Sequence, residues 1–261
     1  MGGGILQKRR LGQTDIEVSV IGLGTVKFGR NQGVKYPSAF SIPDDQALIQ
    51  LIQLAKTLGI NLIDTAPAYG LSEERLGKLL RGERHEWVIS TKAGELFQDG
   101  QSYFDFSKSA IQKSVERSLK RLQTDYLDIV LIHSEGNDCA LIEEENVFET
   151  LLQLKNAGKI RAIGMSTKTI EGGLKTIDEA DVAMITLNPV DNKEAEVARY
   201  AAQKQKGILV KKAFASGHHC KDRAAQTPAE ALQFIFNTPG VTSVIIGTIN
   251  PVHLKQNVES L

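Results

Sequence analysis

Short apolar runs alternate with longer amphipathic stretches along the whole chain. The runs lie at 20–24, 60–63, 86–91, 126–133, 159–166, 181–188, 207–212 and 241–247. Continuous apolar runs are typical of strands buried on both faces, whereas the stretches between them place apolar residues on one helical face. This repeated order predicts parallel strands joined by helices, either closed into a barrel or open and doubly wound.

The barrel is favoured over the open sheet. Gly22-Leu23-Gly24 resembles the start of a dinucleotide-binding fingerprint, but Lys27 stands at the third glycine position and no helix is expected there. Eight similar units in 261 residues fit a TIM (β/α)8 barrel. A loose alternation over residues 7–20, with a turn at 12–15, predicts a short N-terminal β-hairpin. Since no Pro- or Gly-rich linker interrupts the pattern, residues 1–261 are expected to form one domain.

The amphipathic stretches predict the positions of several helices. Asp44 and Asp45 follow Pro43 and open a helix that ends at Gly59. Further helices are predicted at 72–80, 107–122 and 143–156. Each connects two of the apolar runs, as a barrel of strand and helix repeats requires.

Composition narrows the classes of partner and compartment. The 31 basic residues balance 31 acidic residues, so no nucleic acid or anionic membrane partner is expected. No apolar run is long enough to span a bilayer. The two cysteines, Cys139 and Cys220, lack metal-type spacing and indicate a reducing compartment, so a cytoplasmic location is expected. The protein is also expected to be a monomer. His218-His219-Cys220 is read as a loop and no metal site is predicted, since adjacent side chains seldom converge on one ion.

Polar residues end three successive predicted strands. Asp64, Lys92 and His133 occupy these ends, and Tyr69 lies in the loop after the first of them. In a TIM barrel, active sites lie at the carboxyl ends of the strands, so these four side chains are expected to share one mouth. The alternative is a structural salt bridge between Asp64 and Lys92, with two further polar residues that only satisfy local hydrogen bonds.

Together the four groups suit the protonation of an oxygen atom. A free tyrosine has a pKa of roughly 10, and the charge of Lys92, held by Asp64, is expected to favour the phenolate of Tyr69. His133 is expected to donate a hydrogen bond to the reacting oxygen. A carbonyl that becomes an alkoxide is such an oxygen, whereas the sequence shows no nucleophile elbow and no carboxylate pair of the glycosidase type.

Several motifs in order resemble the aldo-keto reductases. The first signature is similar to Asp64-Thr65-Ala66, Tyr69-Gly70 and residues 73–77, and the second to Ser114, residues 118–122, residues 125–128 and Ile132-His133. Residues 158–161 and 163–166 match the segment that follows, and the resemblance runs from about Arg9 to Asn257. It implies a barrel that binds an extended nicotinamide cofactor and reduces aldehydes or ketones to alcohols.

The resemblance also implies roles for individual residues. The catalytic tetrad falls on Asp64, Tyr69, Lys92 and His133, with hydride from the nicotinamide and a proton from Tyr69. The implied cofactor-binding positions comprise Asp64 again, Gly24 and Thr25 beneath the ribose, Ser166 and Thr167 at the carboxamide, Lys211 or Lys212 at the nicotinamide, and Gly247, Thr248, His253, Gln256 and Asn257 around an adenosine 2'-phosphate.

Some positions depart from the family pattern. Thr167 stands in place of asparagine, Met184 in place of glutamine, and a lysine, Lys211 or Lys212, in place of the aromatic residue beside the nicotinamide. The phosphate clamp lacks its usual Lys or Arg, so His253 or Lys255 would have to substitute. NADP is therefore the expected cofactor with NAD as an alternative, and a small carbonyl compound is the expected substrate. The alternative function is regulatory: the protein would bind the nicotinamide cofactor without catalysing its oxidation or reduction.

Overall fold

Eight parallel strands close into a barrel, and the predicted TIM barrel is confirmed. The computed structural model describes residues 6–34, 36, 38–215 and 227–261. The barrel strands are β3 (Ile21–Gly24), β4 (Leu62–Asp64), β5 (Val88–Ala93), β8 (Leu127–His133), β9 (Ile160–Ser166), β10 (Val182–Thr186), β11 (Gly207–Lys211) and β12 (Ser243–Ile246). They follow one another around the barrel in chain order, with β12 paired to β3 at the closure.

Helices surround the barrel and connect its strands. They are α1 (Val26–Gly29), α2 (Asp45–Thr57), α3 (Ser72–Leu79), α4 (Lys108–Leu122), α5 (Asp138–Glu143), α6 (Val147–Asn156), α7 (Ile170–Glu179), α8 (Ala195–Lys204), α9 (Pro228–Phe236) and α10 (Pro251–Glu259). The side chain of Asp44 accepts from Ala47 N at 2.8 Å, so it caps α2 as the sequence predicts. Within the described residues, none of these helices has both the length and the apolar character of a membrane span.

One helix prediction is wrong and another is confirmed only in part. A helical turn, α1, does follow Gly24, and its Phe28 is fully buried while the Phe28 carbonyl accepts a hydrogen bond from Arg75. The helix predicted at 143–156 is present as α6 but begins later, at Val147, and Asn146, with φ +51°, separates it from the preceding α5. That left-handed residue breaks the helical path, and tertiary contacts rather than local propensity sustain the short α1.

The predicted N-terminal hairpin closes one end of the barrel. Its strands, β1 (Lys8–Arg10) and β2 (Glu17–Ser19), pair antiparallel. The apolar side chains of Leu11, Ile16 and Val18 pack against the residues that fill the barrel interior. Because this cluster closes the barrel at the amino-terminal ends of its strands, a ligand would enter it from the carboxyl ends.

A second hairpin, which the sequence analysis did not predict, lies between β5 and α4. Its strands are β6 (Glu95–Gln98) and β7 (Gln101–Phe104), and Arg30 stacks over the Phe97 ring at 3.4 Å. A short 3-10 turn at Arg84–Glu86 also precedes β5, so that strand begins two residues later than predicted. The second hairpin places polar side chains beside the open end of the barrel.

The two-residue period of the strands sets which side chains enter the barrel mouth. The interior cluster contains Leu62, Val88, Ile129, Ala162, Val182 and Leu209. Two or four residues further along the same strands stand Asp64, Lys92, His133, Ser166, Met184 and Lys211. Successive side chains of a strand alternate between its faces, so the polar residues continue the inward row where the apolar filling ends.

Candidate active site

A cavity of about 900 Å³ lies at the carboxyl ends of the barrel strands. The four proposed catalytic side chains, Asp64, Tyr69, Lys92 and His133, all line it. Of the predicted cofactor-binding residues, Gly24, Asp64, Ser166, Lys211, Lys212, Gly247, Thr248, His253, Gln256 and Asn257 line it as well. The strand register, in which Gly24 pairs with Asp64 and His133 with Ser166, brings these ends to one level.

Asp64 and Lys92 form a buried ion pair beneath the cavity. Lys92 Nζ lies 2.8 Å from both carboxylate oxygens of Asp64 and donates to the Thr65 carbonyl at 2.9 Å. Ser90 Oγ donates to the same carboxylate at 3.0 Å. Lys92 is 2% exposed and Asp64 is 4% exposed. The Lys92 ammonium therefore donates its hydrogen bonds to Asp64 and Thr65, and it influences groups in the cavity through its charge.

Tyr69 is held in place by the tight packing of its loop against α1. Gly70 has φ +61°, and a Cβ there would lie 2.2 Å from the Gly29 carbonyl oxygen. The Tyr69 amide donates to the Ala66 carbonyl at 3.0 Å. Lys92 Nζ lies 5.0 Å from the centre of the Tyr69 ring. Only glycine permits this close approach of the two segments, so Gly70 fixes where the phenol enters the cavity.

The expectation that Lys92 lowers the pKa of Tyr69 is not met in this structure. Burial raises the pKa of Tyr69 well above its ordinary value, and the Asp64 carboxylate adds to the rise. Asp64, 2.8 Å from Lys92 Nζ, pairs with the ammonium whose charge was expected to lower this pKa. Tyr69 is therefore a protonated phenol at neutral pH.

His133 has a carboxylate neighbour that sequence reasoning missed. Its Nδ1 lies 2.7 Å from Glu95 Oε2, and its ring meets the Tyr69 ring edge to face at a centroid distance of 6.3 Å. Glu95 also accepts from Ser102 Oγ at 2.6 Å. The only signal in the sequence was an acidic residue just after a strand end, separated by Gly94, which has φ +103°.

Burial and charge oppose each other at this pair. Burial lowers the pKa of His133, the Glu95 carboxylate opposes that change, and Lys92 and Lys211 reinforce it. Burial also acts to raise the pKa of Glu95, but the hydrogen bond and charge of His133 outweigh it and lower that pKa to about 2. At neutral pH the pair is thus an ionised Glu95 beside a neutral His133, and a protonated His133 forms in acid.

Of the two candidate lysines, Lys211 is the one directed into the barrel mouth. Lys211 Nζ donates to Ser166 Oγ at 2.8 Å and to the Thr167 carbonyl at 2.6 Å. Burial lowers the pKa of Lys211 to about 7. Lys212 has φ +56° and is exposed at the rim of the cavity. The cation is therefore bonded to the serine that the family resemblance assigns to the nicotinamide.

Two predicted cofactor-binding residues do not line the cavity. Thr25 is fully buried, and its hydroxyl donates to the Asp64 carbonyl at 2.9 Å. Thr167 is also fully buried, and its hydroxyl donates to Glu194 Oε1 at 3.0 Å. The structure thus places both hydroxyls in the framework of the barrel rather than at a ligand.

The region resembling a phosphate clamp forms the far end of the cavity. Thr248 faces it from the loop after β12, and His253, Gln256 and Asn257 face it from α10. Lys255 does not line it and instead lies 3.6 Å from Glu259, one turn further along α10. Of the two residues considered as substitutes for the missing cation, His253 is the one in position.

The chemistry of the cavity fits an anionic dinucleotide. Among the described residues, its lining includes five lysines against one carboxylate, Asp64, which pairs with Lys92; the lysines are Lys27, Lys92, Lys168, Lys211 and Lys212. Hydroxyl and amide donors stand at both ends, from Ser166 to Gln256. Positive charge with convergent donors favours phosphate groups. Among the described residues, no cluster of His, Cys, Asp or Glu is arranged to hold a metal ion, and His218-His219-Cys220 lie outside those residues.

Comparisons with known proteins agree with the fold. The Aldo/keto reductase family matches residues 20–229. A solved structure of a putative aldo-keto reductase from Pseudomonas aeruginosa is 51% identical, with a TM-score of 0.88 over 97% of this chain and 93% of that chain. An uncharacterized oxidoreductase, YqkF, from Bacillus subtilis is 28% identical over 98% of this chain and 91% of its own length.

A further relative is similar over part of the chain. An NADH-specific methylglyoxal reductase from Escherichia coli is 37% identical over 61% of this chain and 51% of its own length. The family match covers the strand ends from β3 to β11, which carry Asp64, Lys92, His133, Ser166 and Lys211. The chain belongs to the aldo/keto reductase family of oxidoreductases.

Proposed function

We propose that this protein reduces a small aldehyde or ketone to an alcohol with a nicotinamide dinucleotide, and that residues 1–261 act as one catalytic domain. The observation that carries the proposal is the convergence of Tyr69, the Asp64–Lys92 pair and His133 on one cavity. A bound nicotinamide supplies the hydride. The chain's own residues supply the proton, the positive charge that stabilises the carbonyl oxygen of the substrate, and the cavity that binds the substrate.

In the proposed reaction, Tyr69 is the proton donor. Because burial keeps the pKa of its phenol well above neutrality, Tyr69 carries its proton when a carbonyl enters the cavity. As negative charge develops on the carbonyl oxygen, the ammonium of Lys92, 5.0 Å from the phenol ring, stabilises both that charge and the phenolate left by transfer. Asp64 keeps Lys92 in position, and His133 faces the same oxygen.

We propose that NADPH is the preferred cofactor, with NADH as a close competitor. Donors around Thr248, His253 and Gln256 provide a site for a 2'-phosphate, which supports NADPH. Within residues 243–261, which the structure describes, no lysine or arginine lines the cavity, and the E. coli relative is described as NADH-specific, which supports NADH. The difference between the two affinities is therefore expected to be small.

The second candidate function is a regulatory protein that binds the cofactor without turnover. The observation in its favour is that Lys211 Nζ already occupies a hydrogen-bonding position on Ser166 Oγ at 2.8 Å. If Lys211 stays there, it competes with a ligand amide for the serine. The tetrad geometry around Tyr69 favours the enzyme.

Titration of NADPH and of NADH into the purified protein, followed by nicotinamide fluorescence, tests the proposal. The tighter complex then receives 4-nitrobenzaldehyde, and oxidation of the cofactor is followed by absorbance. We expect turnover by the wild type, and a loss of 10²-fold or more, on the order of a missing general acid, in Tyr69→Phe with cofactor affinity unchanged. Binding without oxidation favours the regulator, and full activity of Tyr69→Phe refutes the assigned proton donor.

A further inference from the structure

The second hairpin, β6–β7, carries a partly buried carboxylate into the site from outside the barrel. Glu95 opens β6 only three residues after Lys92, and Ser102 of β7 donates to its Oε1 at 2.6 Å. Arg30 lies 4.0 Å from the same oxygen and also donates to the Ala68 carbonyl at 3.0 Å, next to Tyr69. The hairpin is thus fastened to the loop of Tyr69, and Glu95 is held against one edge of His133.

The contact between Glu95 and His133 restricts where His133 carries its proton. Nδ1 lies 2.7 Å from Glu95 Oε2 and is fully covered, although its N–H bond is not well aligned with that oxygen. An ionised carboxylate only accepts hydrogen bonds, so an unprotonated Nδ1 at this distance would set two lone pairs against each other. The attractive arrangement places the proton of neutral His133 on Nδ1.

This placement changes what His133 offers to the cavity. With Nδ1 protonated and covered, Nε2 of the neutral ring carries a lone pair, and the ring reaches the cavity by its other atoms. Toward the cavity, neutral His133 then accepts a hydrogen bond through Nε2 and donates none from a nitrogen. Donation to a carbonyl oxygen requires the imidazolium, whose charge Glu95 stabilises from the other side of the ring.

We propose that Glu95 is a positioning residue that fixes the Nδ1–H tautomer of His133 and stabilises its imidazolium, so that His133 donates to a carbonyl oxygen in acid and accepts from a hydroxyl above neutrality. The assignment deepens the proposed reductase function and rests on it for its catalytic meaning. It differs from the expectation that His133 donates a hydrogen bond to the reacting oxygen, because the neutral ring would accept one there instead.

The other charged groups around His133 oppose Glu95. Lys92 on β5 and Lys211 on β11 both act against a positive ring, and burial does so too. Tyr69, on the loop after β4, is a neutral phenol at the pH values concerned. Of the main causes, the Glu95 hydrogen bond and charge are those that raise the pKa of His133, whereas burial, Lys92 and Lys211 lower it.

The test is an NMR titration of His133 in the protein without added cofactor. The ring signals are assigned with His133→Gln, and the nitrogen shifts report the tautomer while their pH dependence reports the pKa. We expect the Nδ1–H tautomer in the wild type. In Glu95→Gln, which preserves side-chain shape, we expect the pKa of His133 to fall by roughly 1–3 units. An Nε2–H tautomer, or an unchanged pKa in Glu95→Gln, overturns the proposal.

Asp99→Asn is the matched control. Asp99 lies in the exposed turn of the same hairpin with φ +51°, a conformation that asparagine adopts readily, so the variant removes the same charge without touching His133. Its titration of His133 is expected to coincide with that of the wild type. A pKa shift equal to that of Glu95→Gln would show that net hairpin charge, rather than the Glu95 contact, is responsible, and would overturn the proposal.

Aldehyde reduction links the titration to catalysis. We expect kcat/KM for the aldehyde to rise as the pH falls through the pKa of His133. In Glu95→Gln, this rise should occur at lower pH, displaced by as many pH units as the His133 pKa measured by NMR. If the pH profile of kcat/KM stays in place in Glu95→Gln while the His133 pKa measured by NMR changes, the catalytic part of the proposal is overturned. If the titration behaves as expected but no variant or wild type turns over aldehyde, the reductase function fails while the Glu95–His133 assignment stands.

Discussion

Lys211 Nζ donates to Ser166 Oγ at 2.8 Å and to the Thr167 carbonyl at 2.6 Å, so a barrel lysine is tied across from β11 to the end of β9. This lysine stands where many family members are expected to carry an aromatic ring. The ammonium gains two acceptors, but it lies in a buried setting close to Lys92 and Lys212, and burial lowers its pKa to about 7. The position that the family resemblance assigns to the nicotinamide is thus occupied by a group whose charged form the fold disfavours.

Replacement of Lys211 by methionine is expected to change how stability depends on pH. Because the pKa of Lys211 falls from 10.5 to about 7 on folding, the unfolded chain binds more protons between these values. Stability of the wild type relative to Lys211→Met should therefore rise with pH above 7, by about 3 kcal/mol from pH 6 to pH 9. Urea unfolding at the two pH values measures it.

Lys113→Met is the control for this measurement. Lys113 is exposed on α4, so its removal should alter stability equally at both pH values. If Lys211→Met also shows no difference between pH 6 and pH 9, then Lys211 titrates in the folded protein as it does in the unfolded chain, and the buried position does not depress its pKa.

Breaking the Asp64–Lys92 pair is expected to cost more than removing both charges. Each partner is almost fully buried, so Lys92→Met or Asp64→Asn leaves a polar group uncompensated and should destabilise the protein by roughly 3–5 kcal/mol. The double variant removes the isolated charge and should recover a large part of that loss. A double-mutant cycle by urea unfolding measures the coupling, and losses that simply add would show that the pair contributes no mutual stabilisation.

Gly70→Ala is expected to displace Tyr69. A Cβ at Gly70 would lie 2.2 Å from the Gly29 carbonyl oxygen, whereas at Gly82, which also has a positive φ, a Cβ meets no atom within 4 Å. Gly82→Ala therefore carries the backbone strain alone and serves as the control. Gly70→Ala should be about 1–3 kcal/mol less stable than this control.

Activity distinguishes the two glycine variants further. A shift of the phenol by about 1 Å is enough to reduce kcat/KM for an aldehyde by about 10²-fold in Gly70→Ala. Gly82→Ala should retain wild-type kcat/KM, since Gly82 lies after α3 and away from the cavity lining. Equal stability and equal activity of the two variants would mean that the loop of Tyr69 tolerates a side chain at Gly70.

Coenzyme preference is expected to respond to charge at His253. His253→Arg places a permanent cation among Thr248, Gln256 and Asn257 and should tighten NADPH binding by about tenfold while leaving NADH unchanged. Lys255→Met, which removes a cation that lies toward Glu259, should alter neither affinity. Fluorescence titration of both cofactors measures this. An equal gain for NADH would place the new arginine on a phosphate shared by both dinucleotides.

Much of the architecture could be predicted from the local pattern of the chain. The apolar runs, their spacing and the caps of the intervening helices gave the barrel and most of its elements, because each depends on residues close in sequence. The helical turn at 26–29 and the break at Asn146 were missed, since the first depends on the burial of Phe28 and the second on a single left-handed residue. Strand-end polarity likewise brought Asp64, Lys92 and His133 together as candidates.

By itself, the sequence determined the fold class, the family and the polar strand ends. Only the tertiary structure decided that Lys211 rather than Lys212 enters the mouth, because strands buried on both faces show no alternation that reveals their inward side. It likewise decided that Glu95 contacts His133, 38 positions later in the chain, and that burial raises the pKa of Tyr69. Contacts through space and desolvation arise when the barrel closes, and neither is encoded in the neighbours of a residue along the chain.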